Sequence, residues 1–197
     1  FEKIVHPITG LVLSQTNYSS FDSYGNHLTE LVSGSNFQPR TMSYTYTSDG
    51  HHIRTRTNAL TQTTTYTYYG YTDDIFVGGH INTGLLETVT DPNGIITRYV
   101  YDVFGREVER TSYSGTAKEV RSYARFEPCS TAAGVVCEDK YDQNSTLVAS
   151  PNYRITRYRD GDVGTHTFVD ALGREVAQAA QGLDGRFVKT ANGYDHR

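Results

Sequence analysis

The 197-residue chain has no tryptophan, one methionine and two cysteines, and only 37% of its residues are hydrophobic. That share lies below the roughly 45–50% apolar content usual for globular domains, even allowing for different residue counting. It argues against a single large core. No apolar run approaches the roughly 18 residues that a membrane-spanning helix needs, so no membrane span is expected. The net charge is −4, from 18 Lys and Arg against 22 Asp and Glu, with a pI near 6.0. Such a balance offers no general attraction to phosphate polymers or anionic lipid, and no nucleic acid partner is expected. Helical periodicity is nearly absent. Its one candidate, Glu175 to Gln181, is short, ends at Gly182 and would be marginal as an isolated helix. Phe1 is not a start methionine and no basic-then-apolar leader follows it, so the chain reads as a fragment of a longer protein with its targeting information lost.

What is abundant has a wet end: 16 Tyr outnumber 8 Phe, and Thr occurs 26 times. This is strand composition. Short stretches rich in Thr, Tyr, Val and Ile alternate with Gly, Asn and Asp punctuation, as strands joined by turns do. One turn type recurs at Asp22 to Gly25, Asp91 to Gly94, Asp102 to Gly105 and Asp170 to Gly173, and the last two are followed by Arg106 and Arg174. Degenerate copies stand at Asn58 to Thr61 and Asp142 to Ser145, and Tyr194 to Arg197 looks like a further copy cut short. In Asp-x-x-Gly the Asp side chain accepts a hydrogen bond from the backbone two residues on, while Gly adopts a positive φ, giving a three-residue hairpin loop with a bulge. The residue after Gly then faces the Asp, so Asp102 meets Arg106 and Asp170 meets Arg174. Counting outward places Leu86, Val100 and Val108 in one row, Phe168 opposite Val176, and Arg98 opposite Arg110. The last pair is costly unless both cations reach solvent or a carboxylate.

From Gly84 to Arg106 the chain closely resembles the RHS/YD-repeat family, with strand, Asp91-Pro92-Asn93-Gly94 turn, strand, and Tyr101-Asp102-Val103-Phe104-Gly105-Arg106 turn in unbroken succession. Weaker copies extend the resemblance over most of Phe21 to Arg197. The first twenty residues and an inserted loop at 126–140 fit poorly. Asn26 stands where the motif has Arg, and Val169 where it has Tyr. The resemblance implies an all-β fold of successive antiparallel hairpins forming a curved, spiralling sheet, with residues 1–197 a fragment of a larger hollow shell. Such shells occur in bacterial secreted polymorphic toxins, insecticidal toxin complexes and teneurin-like surface proteins, and in the toxins they enclose a C-terminal effector. The implied partners are neighbouring YD repeats of the same longer chain and an enclosed effector domain, at a secreted or cell-surface location. Some family shells end in a self-cleaving region with paired Asp-Pro-x-Gly motifs. Only Asp91-Pro92-Asn93-Gly94 is present here, and that activity is not carried over.

Chemistry beyond turns is thinly supported. Cys129 and Cys137 flank a small-residue stretch that can fold back, which favours a disulfide, and an oxidising compartment, over two free thiols. Adjacent His51 and His52 would point to opposite faces of a strand and could not grip one metal ion. Asp160-Gly161-Asp162 lacks the remaining ligands of a calcium loop, and Asp73-Asp74 with His80 is no fuller. No nucleophile elbow, phosphate-cradling loop or cofactor motif occurs. Glu107 and Glu109 share a strand face but read as surface charge. No catalytic, metal or cofactor-binding residue is therefore assigned. The most tempting patch is on the strand from Tyr153 to Arg159, where Tyr153, Ile155, Arg157 and Arg159 share a face. Tyr153, Arg157 and Arg159 could make a glycan-binding, adhesive surface. Against that, arginines commonly pair with neighbouring acids and cover a sheet.

Overall fold

The structure, a computed structural model, describes residues 2–129, 137, 140–141, 147–149, 151–182 and 187–192. The candidate turns at Asp142 to Ser145 and Tyr194 to Arg197, and most of the expected insert at 126–140, lie outside them. Residues 126–128 within that insert belong to a strand. Among the described residues the regular structure is entirely β and the strand pairings are antiparallel. Two compact units are present, residues 1–105 with 112–116, and 106–111 with 117–197.

The first unit holds β1 (Glu2–Val5), β2 (Val12–Phe21), β3 (His27–Gly34), β4 (Phe37–Tyr46), β5 (Ile53–Thr57), β6 (Thr63–Tyr68), β7 (Tyr71–Thr72), β8 (Ile75–Phe76), β9 (Leu86–Thr90) and β10 (Ile96–Tyr101). Its main sheet runs β1-β2-β3-β4-β5-β6-β9-β10, and β7 and β8 form a small separate hairpin. Residues directly opposite one another share a face. Thr45, Thr55, Thr65 and Thr90 thus form one row, with Ser43, Thr57 and Thr63 beside it. Thr45 and Thr55, Thr57 and Thr63, and Thr67 and Thr88 exchange hydroxyl hydrogen bonds at 2.6, 2.8 and 2.7 Å. Tyr44, Tyr66, Arg56 and Val89 lie on the reverse face. Each face is half-wet. Among the described residues of this unit no apolar side chain is fully buried.

The second unit holds β11 (Glu107–Ser112), whose last residue belongs to the first, followed by β12 (Val120–Pro128), β13 (Lys140–Tyr141), β14 (Leu147–Ala149), β15 (Tyr153–Arg159), β16 (Thr165–Val169), β17 (Glu175–Gln181) and β18 (Phe187–Ala191). Its sheet runs β11-β12-β15-β16-β17-β18, while β13 and β14 pair apart from it. A small core sits here: Ile155, Val169, Val176, Ala177 and Ala179. The segment from Glu175 to Gln181, the one helical candidate, is strand β17, held between β16 and β18. Pairing on both edges outweighs the helix preference of its alanines.

The register departs from simple counting next to several turns. Phe168 faces Ala177, not Val176, because the pairs step from Val169 with Glu175 to Phe168 with Ala177. Val176 is the extra residue of a bulge and is 1% exposed. The same step skips Arg54 between β4 and β5 and Glu87 between β6 and β9. Arg98 reaches Glu87 at 3.5 Å and Arg110 reaches Glu107 at 3.0 Å, so each cation has the carboxylate it needs.

Left-handed backbone is where the turns are most sensitive. Gly105 has φ +75°, and a Cβ built there would meet Leu85 Cδ1 at 3.5 Å, an ordinary contact. Strain, not clash, therefore sets the penalty. Gly105→Val should lower unfolding stability by about 1–3 kcal/mol in denaturant titration. Thr61 holds φ +62° as a β-branched residue. Replacing it by Gly relieves roughly 1–2 kcal/mol of left-handed strain against a loss of roughly 0.4–1 kcal/mol from the freer unfolded chain. Thr61→Gly should thus raise stability slightly, and a fall in its unfolding midpoint would contradict the turn assigned there.

Candidate functional site: turns, seams and an arginine face

The turns are built alike from their backbone upward. Asp22 Oδ1 accepts the N–H groups of Tyr24 and Asn26 at 2.9 and 2.8 Å. Asp91 Oδ1 accepts those of Asn93 and Ile95 at 2.9 and 2.8 Å. Asp170 Oδ1 accepts those of Leu172 and Arg174 at 2.9 Å each. Asp102 Oδ1 accepts Phe104 N–H at 2.9 Å. Gly25, Gly94, Gly105 and Gly173 each donate N–H to the carbonyl of the Asp three residues back, at 3.0–3.2 Å, and all have positive φ. Asn58 makes the same turn with an amide oxygen, accepting from Leu60 and Gln62 at 2.9 and 3.1 Å. Arg174 adds an ion pair to Asp170 at 2.7 Å. Arg106 stands over the Phe126 ring at 4.2 Å.

One turn escaped sequence reasoning because its carboxylate occupies the third position. Gly50 donates to the Thr47 carbonyl at 2.8 Å, and Asp49 Oδ1 accepts the Thr47 hydroxyl and His51 N–H at 2.6 and 3.2 Å. His51 and His52 lie in this turn, so the strand on which they were expected to alternate does not include them. The turn is also a seam. Tyr24 O–H donates to the Ser48 carbonyl at 3.0 Å, and Asn26 Nδ2 donates to the Gly50 carbonyl at 2.7 Å. Ser48 N–H and O–H both donate to the Asp74 carbonyl, at 3.1 and 3.0 Å. Tyr71 O–H donates to Asp49 at 2.7 Å, and Arg54 pairs with Asp74 at 2.5 Å. A Cβ at Gly50 would fall 2.4 Å from the Tyr24 ring, so glycine is required there by contact as well as by its φ of +74°.

The remaining candidates are occupied by structural roles. His52 stacks on Tyr68 at 4.5 Å and His80 on Tyr69 at 4.4 Å. Asp160 accepts Arg121 N–H at 3.0 Å, Asp162 accepts Val163 N–H at 2.8 Å, and Glu107 is paired with Arg110. Among the described residues no three His, Cys, Asp or Glu side chains cluster as a metal site would require. Cys129 and Cys137 are joined in a disulfide. Burial pushes Tyr68 up to about 12, and burial together with the Asp49 carboxylate does the same for Tyr71, so both hydroxyls remain neutral donors.

The strand carrying the tempting patch separates its members. Tyr153 borders a hollow of about 320 Å³ with Arg106 and Phe126, whereas Arg157 and Arg159 line a groove of about 590 Å³ that also includes Phe126. Ile155, between them, is buried. Arg154 does what a sheet arginine commonly does, donating to Glu127 Oε2 at 2.8 Å.

The turn carboxylates make a pH signature. Asp91 is held below the ordinary carboxylate range by the Ile95 and Asn93 N–H bonds, and Asp170 by its backbone and side-chain bonds from Arg174. At Asp22 burial pushes upward, but the bonds from Asn26, Tyr24 and Gly25 outweigh it. A depressed folded-state value adds stability that is present above the unfolded value of about 3.9 and is lost as pH falls through the folded one. The thermal midpoint should therefore be flat from neutral pH down to about 5 and fall below about 4. The Asp22→Asn, Asp91→Asn double variant should lose part of that acid dependence, since Asn58 makes the same turn without a charge. An equally steep acid loss in the variant would exclude these carboxylates as its source.

Residues 83–117 match the family model of the RHS Repeat. No match to the chain is found among curated proteins. The matched stretch contains the Asp91 and Asp102 turns, and the match supports an RHS/YD-repeat family assignment as a structural repeat protein.

Proposed function

We propose, from the RHS/YD-repeat assignment, that the chain is a wall segment of a curved, spiralling β-shell in a secreted or surface-exposed bacterial protein. The shell encloses or presents a C-terminal effector domain, and the chain acts by mechanical enclosure, not by catalysis. Its partners are neighbouring YD repeats of the same longer chain and the enclosed domain. The observation that carries this reading is that the turn of the matched repeat recurs outside it, at Asp22, Asn58 and Asp170, with the same two-bond side-chain geometry. Repeated local units stabilised by their neighbours are what an extended wall requires. A disulfide suits an oxidising location. The reading is tested on the full gene product by limited proteolysis. A domain C-terminal to residue 197 should resist a protease dose that degrades the same domain expressed alone. Equal cleavage rates would end the enclosure reading.

A second reading, saccharide adhesion through the Tyr/Arg strand faces, is favoured by one observation. Arg157 and Arg159 lie exposed in the groove of the second unit, while Arg154 on the same strand is held by an acid.

A further inference from the structure

We propose that Tyr123 and Tyr158 form an oxidative cross-linking site, at which a haem peroxidase acting with hydrogen peroxide joins the two rings as dityrosine. Tyr123 on β12 stands directly opposite Tyr158 on β15. Their rings stack with centroids 4.8 Å apart and planes 20° from parallel. Directly opposite side chains leave a sheet on the same face. The two phenols therefore run outward side by side, and the carbons ortho to their hydroxyls are brought together at the same height above the sheet. The Arg121 guanidinium is bonded to the Tyr123 side chain and holds that end of the pair in place. Tyr158 is 38% exposed, and its hydroxyl makes no hydrogen bond with another described residue. The oxidant thus reaches the pair from solvent.

The other tyrosine ring pairs among the described residues are placed differently. Tyr68 and Tyr71, and Tyr69 and Tyr101, meet edge to face with centroids 6.3 and 6.2 Å apart. The hydroxyls of Tyr68, Tyr69 and Tyr71 are also tied down, donating to the Ile53 carbonyl, the Tyr99 carbonyl and the Asp49 carboxylate. In the coupling each tyrosine gives up one electron and its phenolic proton, and the two phenoxyl radicals form a bond between one ortho carbon of each ring. The hydrogens on those carbons then pass to the phenoxyl oxygens as the rings recover aromaticity. The pair loses two electrons and two protons, and the peroxide takes them up to become two waters. The new bond closes the chain between residues 123 and 158, around the Cys129–Cys137 disulfide. Two oxidative links then staple the same excursion between β12 and β15, and a link between distant residues stabilises mainly by restricting the unfolded chain.

The test is treatment of the full chain with a haem peroxidase and hydrogen peroxide, followed by intact mass measurement and peptide mapping. The expected product is a single chain lighter by two hydrogen atoms, with dityrosine fluorescence, in which the peptides carrying Tyr123 and Tyr158 are joined. It should unfold at a higher temperature than the untreated chain. Tyr158→Phe keeps the ring and its stacking but removes the phenol, so it should leave the untreated thermal midpoint unchanged and lose the product. Dityrosine that maps to other tyrosines, or that forms only between two chains, overturns the site. An undiminished yield in Tyr158→Phe overturns it as well, and so does the absence of any dityrosine.

Discussion

A side-chain oxygen that accepts two backbone N–H groups, two and four residues ahead, is the constraint on which this structure depends. At Asp22, Asn58, Asp91 and Asp170 the distances are nearly the same, 2.8–3.1 Å, although the two middle residues range from Ser23-Tyr24 and Pro92-Asn93 to Ala-Leu. Hydrogen bonds to a carboxylate are stronger than neutral ones, yet Asn58 closes the turn without charge. Geometry comes first and charge second. Because the whole interaction lies within five consecutive residues, each hairpin carries its own instructions, and no distant contact is needed to define where the chain reverses.

That locality explains how the sheet of the first unit holds together with so little buried. Its faces carry threonine rows on one side and tyrosines on the other, and the side-chain rows are tied by hydroxyl pairs instead of interdigitated apolar groups. Along one margin the turns are bonded to one another: the turn at Asp22 to the turn at Thr47, and the latter to the β7–β8 hairpin. Cross-strand pairs and edge-to-edge bonds each contribute little singly, roughly 0.2–1 kcal/mol for a pair. Their repetition substitutes for a core. The second unit differs in having one, small and made largely of β-branched residues and alanines near the bulge at Val176.

What could be read from the sequence follows the same division. The Asp-x-x-Gly turns were legible because every atom of their chemistry lies within a short window, and the all-β class followed from composition and punctuation. The Thr47 turn was hidden, since a threonine hydroxyl and an aspartate in the third position share the work that one aspartate does elsewhere. The bulge at Val176 was hidden too, because an extra residue in a strand depends on what the neighbouring strand and core accept. Arginines were the least legible. Arg154, Arg157 and Arg159 are alike as letters, and only the register, which sets Glu127 opposite Arg154 and Ala124 opposite Arg157, distinguishes a neutralised cation from an available one.

The residue after each turn glycine carries the argument one step further. It is Asn26, Ile95, Arg106 or Arg174, and at Asn26, Ile95 and Arg174, with Gln62 in the same place after Thr61, four turns can be compared bond for bond. Its backbone role is constant at all four: it donates to the turn side chain, and its carbonyl accepts from the first residue of the turn. Its side chain is therefore available to answer whatever lies alongside. Asn26 takes the place of the motif arginine where a carbonyl of the next turn stands near, and its amide donates both to Asp22 and to Gly50. Arg174 instead closes on its own aspartate. A departure from the motif at this position is thus a record of the neighbouring turn and not a loss of the repeat. An array can vary its seams while keeping its folds, and that suits a repeat protein whose hairpins must fit different neighbours.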